Sequence, residues 1–275
     1  MAKVRISVIL AGAGLAGLAA GVAAQTASPP DFSSSGAAWQ TPNGTDYITV
    51  PGSPPLINND PAHPYVSNGV AIRSGKQPTY RIADLSNPNL KQWAKDVMKK
   101  DNDEVLAGKI GFTPSSSCKQ AGVPAYWLAG GPFFFIQTPK EVLIVEEGDR
   151  HARRVYLNAE HSKNPKSSWF GESIGRYEGD TLVVDTIGFN RKTFVDNYRT
   201  PHSDKLHVVE RFHLINGGKT LEVQFTVEDP DTFIQPWQGI RRYDKTQATL
   251  GEQICQEGNF TLFDYGIPVA KHSDF

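Results

Sequence analysis

Cysteine, methionine and surplus charge are all scarce in this chain, and the scarcity narrows what it can be. Only Cys118 and Cys255 occur among 275 residues, with no CxxC spacing and no neighbouring Cys/His cluster. A cysteine-built metal site is therefore a minor reading. Lys and Arg number 28 against 29 Asp and Glu. With no basic block and no interleaving of basic and aromatic residues, nucleic acid is not an expected partner. A P-loop, a dinucleotide-binding GxGxxG after a strand, and an HExxH pair are all missing. No cofactor is expected on that ground. Beyond residue 24 no stretch is apolar enough to span a bilayer.

The first 24 residues have a different character. Lys3 and Arg5 precede an apolar run over residues 6–22, and Val22-Ala23-Ala24 supplies small residues before Gln25. This pattern predicts a secretory signal peptide cleaved near Ala24 rather than a permanent membrane anchor, and hence a periplasmic or secreted protein. In an oxidising compartment two cysteines default to one disulfide, Cys118–Cys255.

Residues 25–80 are rich in Pro, Ser, Gly and Asn. Such a composition builds no core of its own, and the stretch reads as an extended arm laid over a domain at 81–275. Asn43-Gly44-Thr45 and Asn259-Phe260-Thr261 read as chance sequons. Asn87-Pro88 is expected to open one flanking helix, with Leu90, Trp93, Ala94, Val97 and Met98 as its apolar stripe and Gly108 as its stop.

After Cys118 the pattern becomes one of short strands and tight turns. Pro139-Lys140, Gly148-Asp149, Glu178-Gly179-Asp180 and Asn216-Gly217-Gly218 separate them, and further strands are expected at 239–243 and 253–255. About eight strands joined mainly by hairpins predict an antiparallel up-and-down β-barrel, wide enough inside for one small ligand. A two-sheet sandwich is the alternative.

The clearest hairpin lies at 206–228. Leu221, Val223, Phe225 and Val227 alternate with Glu222, Gln224, Thr226 and Glu228, the period of a strand with one buried face. On the partner strand Leu206, Val208, Phe212 and Leu214 share the inward face with Glu210, while His207, Arg211 and His213 face outward. A carboxylate among core residues is costly unless paired. Glu210 is therefore either tied to a structural Arg or working in a cavity.

Three stretches resemble a group of exported bacterial proteins with a lipocalin-like barrel: residues 169–190 (WFGESIGRYEGDTLVVDTIGFN), residues 201–212 (PHSDKLHVVERF), and residues 153–157 followed by His161. The resemblance implies a fold and an exported location rather than a chemistry.

Three function classes remain in view. A binding barrel would hold a small apolar or aromatic molecule in its interior, with Arg153, Arg154, Tyr156, Arg176 and Trp169 as candidate contacts. A cofactor-free lyase, isomerase or hydrolase would use Glu210 as acid or base, with Asp196, His202 or His207 as partners. A minor alternative is a metal site on His202, His207 and Glu210. It is weakened because His207 and Glu210 fall on opposite faces of a strand. Gly171-Glu172-Ser173-Ile174-Gly175 matches a nucleophile elbow, but it runs into an antiparallel hairpin and reads as accidental.

Overall fold

The computed structural model describes residues 28–33, 36–42, 44, 46–75, 79–109, 111, 113–148, 152–252 and Cys255. The signal-peptide region, both sequons, His151 and the strand expected at 253–255 fall wholly or partly outside these residues.

Ten strands are described: β1 (Ala38–Gln40), β2 (Ile48–Thr49), β3 (Phe133–Gln137), β4 (Glu141–Glu146), β5 (Ala152–Leu157), β6 (Glu172–Glu178), β7 (Thr181–Ile187), β8 (His207–Ile215), β9 (Thr220–Glu228) and β10 (Trp237–Thr246). They form one sheet that closes on itself because β1 pairs with both β3 and β10. Nine strands make the barrel, and β2 lies outside it on the edge of β10. The β8–β9 hairpin pairs as the alternation predicts, Phe212 opposite Val223 and Leu214 opposite Leu221. Its turn at Asn216–Gly218 carries three consecutive positive φ angles, which two glycines make easy.

Two features depart from a purely antiparallel meander. Strand β6 runs parallel to β5, with Val155 opposite Ser173. A parallel neighbour cannot be reached by a tight turn, so residues 158–171 cross from one end of the barrel to the other. The chain re-enters the sheet at Gly171, with φ +67°, where a Cβ would lie 2.5 Å from the Ile187 carbonyl oxygen. The second departure is β1. The stretch read as an arm supplies the strand that closes the barrel, as well as β2 and a short helix α1 (Asn68–Ser74). It also plugs one end: Phe32 packs on Phe135 and Phe212, and its N–H donates to Gln137 Oε1.

The flanking helix exists as α2 (Gln92–Leu106) and buries Ala94 and Met98, but Lys91 stands at its N-cap rather than Asn87. Asn87 is engaged elsewhere, donating to the Pro55 and Leu56 carbonyls and accepting from Asn89 N. Among the described residues no helix is long and apolar enough to cross a membrane. Cys118 and Cys255 form the expected disulfide.

Side chains fill the barrel interior. Trp127 enters it from a 3-10 turn at Ala125–Leu128 and lies with its ring centre 5.0 Å from Phe133, 5.2 Å from Phe212 and 6.1 Å from Tyr243. The roomy interior expected for a ligand is here a packed aromatic core.

Candidate functional site

Glu210 sits at the centre of that core with no exposed surface, and its partners explain why a carboxylate is tolerated there. Arg153, the inward-facing residue of β5, grips it through both terminal nitrogens, Nη1 to Oε1 at 2.8 Å and Nη2 to Oε2. Trp127 Nε1 donates to Oε1 at 2.5 Å. Arg153 Nη2 also reaches Ser173 Oγ at 3.2 Å and Thr186 Oγ1 at 3.0 Å, which binds β5, β6, β7 and β8 together. Of the two roles open to Glu210, the geometry is that of a structural ion pair. The Ser173 hydroxyl of the GxSxG match is sealed into the same network.

The other expected site residues do not gather around Glu210. His202 is buried; its Nδ1 donates to the Ser203 carbonyl at 2.7 Å and its Nε2 meets Thr193 Oγ1 at 2.7 Å. Burial holds its pKa below the ordinary histidine value, so it is a neutral core histidine. His207 faces outward, away from His202 and Glu210, and that metal set is not assembled. Arg154 and Arg176 lie on the outer wall, paired with Glu141 and Glu178. Tyr156 is exposed beside Arg154, and Trp169 lies in the crossover, so these four do not line a common cavity with Arg153.

Asp196 does face a cavity. A cleft of about 120 Å³ opens at the mouth where β8 and β10 begin, walled by Tyr47, Leu56, Leu128, Phe233 and Trp237, with Asp196 and several asparagines as polar points. The Tyr47 ring stacks on Phe225 at 4.7 Å and Trp237 at 6.0 Å, and its hydroxyl donates to the Val195 carbonyl at 2.9 Å. Asp196 organises the loop opposite: Oδ1 accepts from Tyr198 N at 2.8 Å, and Oδ2 from Thr200 Oγ1 at 2.7 Å. Burial raises its carboxyl above the ordinary aspartate value, although the Thr200 hydroxyl pulls the other way. Burial, and next the nearby Asp196 charge, push the Tyr47 phenol well above its ordinary value. Trp237 Nε1 is buried and has no hydrogen-bond partner among the described residues. The sequence gave no sign of Tyr47, because it belongs to the Pro/Ser/Gly-rich stretch.

At the opposite end a shallow groove of about 420 Å³ runs between Pro29, Pro30, Gln137, Leu157 and Tyr177. Its polar groups are taken up by the chain itself, Gln137 Nε2 donating to the Pro30 carbonyl and the Tyr177 hydroxyl. It is a packing seam.

A third cluster lies on the outer wall. His161, from the crossover, contacts Glu172 Oε1 through Nδ1 at 3.1 Å and Asp185 Oδ1 through Nε2 at 2.9 Å. His207 contacts the same Asp185 oxygen through Nε2 at 3.0 Å and Glu228 through Nδ1 at 3.4 Å. The register brings them together: Asp185 pairs with Val209 and Glu172 with Ile187, so the carboxylates sit diagonal to one another and to His207 on one face. The chain matches no family model, no curated protein and no solved structure.

Proposed function

We propose that the protein is an exported binding barrel that takes a small, flat, aromatic molecule in the cleft at the β8/β10 mouth. The observation that carries this reading is the cleft itself, with aromatic walls, one part-buried carboxylate and an indole N–H left without an acceptor. Its volume is comparable to the apolar cavity of about 150 Å³ that accepts benzene. A phenol-sized ligand is the natural fit: its ring meets Tyr47 and Phe233, its oxygen accepts from Trp237 Nε1, and its hydroxyl proton reaches Asp196. The disulfide is compatible with an exported protein. The closed barrel supports a place among exported lipocalin-like proteins, with the parallel β5–β6 pair as a variation on the up-and-down plan.

Titration of the folded protein with phenol and ring-substituted phenols, followed by calorimetry and tryptophan fluorescence, tests the proposal. Saturable binding is expected, weakened about tenfold in Trp237→Phe, the cost of one hydrogen bond that only the ligand completes. A panel without any saturable binder would sink the reading, as would a Trp237→Phe protein that binds as well as the parent.

A second reading keeps an enzyme in view, because a buried carboxyl whose proton is held above the usual range is what general acid–base chemistry needs. It rests on Asp196 alone, since Glu210 is sealed and paired. Turnover of a bound phenol that disappears in Asp196→Asn would favour it over simple binding.

A further inference from the structure

We propose that His161, Asp185 and His207 form a binding site for a divalent transition-metal ion on the outer wall of the barrel. The proton inventory of the cluster is the starting point. Four contacts join a ring nitrogen to a carboxylate oxygen: His161 to Glu172 and to Asp185, and His207 to Asp185 and to Glu228. A neutral imidazole carries one N–H, so two neutral rings satisfy two of the four contacts. The remaining two set a lone pair against a lone pair. Either two added protons or one divalent cation removes the conflict, and both leave the same net charge.

The arrangement is the one a metal requires. Both Nε2 atoms converge on a single oxygen, Asp185 Oδ1, at 2.9 and 3.0 Å. Both Nδ1 atoms face a carboxylate, which fixes the ring orientation and leaves Nε2 as the donor to an ion. Glu172 is itself held by Ser162, whose backbone N–H and hydroxyl donate to it at 2.7 and 2.6 Å. Two imidazoles and a carboxylate suit zinc or a neighbouring divalent ion and leave a fourth position for water or a substrate.

Among the described residues no group of three or more His, Cys, Asp or Glu stands spread about a common point as a ready coordination shell. Here Asp185 Oδ1 itself occupies the point of convergence. Ligands of a tetrahedral zinc lie roughly 3.3 Å apart, as follows from its bond lengths of about 2.0–2.1 Å. The nitrogen–oxygen separations therefore need to widen by only a few tenths of an ångström as the carboxylate turns. The three side chains are 20%, 30% and 32% exposed, so an ion has access and the carboxylate has room.

The test uses the full chain without a histidine tag, incubated with zinc, gel-filtered and assayed for metal by mass spectrometry. About one zinc per chain is expected. Affinity should fall at least about tenfold in His207→Gln and in Asp185→Asn, and about 10–100-fold in Glu228→Gln, which acts by positioning His207. A zinc-free wild-type protein would show a hydrogen-bonded array only and overturn the proposal, as would equal retention by His207→Gln and Asp185→Asn. Where a variant fails to fold, cobalt added to the wild type decides by NMR. Broadening confined to His161 and His207 supports the site, and broadening at His63 or His213 instead overturns it.

Discussion

Replacing Glu210 with Ala should lower the free energy of unfolding by about 3–5 kcal/mol, the usual cost of stranding one partner of a buried ion pair. The change leaves the Arg153 guanidinium charged at the barrel centre with no exposed surface, and it removes the acceptor of Trp127 Nε1. Urea denaturation of the purified variant reads the effect directly. A double change, Glu210→Leu with Arg153→Met, should recover part of the loss, because no charge then remains buried. Full recovery is not expected, since Trp127 Nε1, Ser173 and Thr186 would still lack their partner. A single-variant cost under about 1 kcal/mol would mean that the pair is not the keystone its geometry implies. The same pair of variants separates structure from chemistry: a ligand-binding protein needs Glu210 for stability alone.

Reducing the Cys118–Cys255 bridge should have the next largest effect. The cysteines are 137 residues apart in sequence, and the chain-entropy relation gives about 5 kcal/mol for closing a loop of that length in the unfolded state. For a chain of this size each kcal/mol shifts the melting temperature by about 2–4 °C, so reduction should lower it by about 10–20 °C. Thermal unfolding with and without dithiothreitol, alongside Cys118→Ser with Cys255→Ser, measures it. Matching curves under both conditions would remove the bridge from the account of stability.

Much of the barrel was legible in the sequence because its signal is local. The strict alternation over Leu221 to Val227 and the Asn216-Gly217-Gly218 turn specify a hairpin without reference to anything distant. The same periodicity exposed Glu210 as an anomaly on an inward face, although its partner Arg153 read as a ligand contact. What escaped was set by pairing across distance. Strand β1 has three residues in a stretch whose composition argues against structure, and only its neighbours β3 and β10 make it a strand. The parallel β5–β6 pair follows from a crossover that has no periodicity to read. Asp196 was singled out as a partner for Glu210; it turned instead to a mouth whose wall includes Tyr47. The outer cluster of His161, Asp185 and His207 escaped for the same reason, since three separate segments supply it and only the strand register makes them neighbours.

The placement of β1 also bears on how the chain reaches its native state. The first strand to leave the ribosome is the one that seals the barrel, and it must wait for one of the last. The hydrogen bond from Arg241 to Thr41 across that seam spans 200 residues. Contacts so remote in sequence make for slow folding. Until β10 arrives, the edges of β3 and of β1 itself stay open to pairing with other chains. Moving the termini by circular permutation, so that β1 follows β10 directly, would turn this long-range closure into a local hairpin. It should hasten folding and reduce aggregation during synthesis while leaving the finished barrel unchanged.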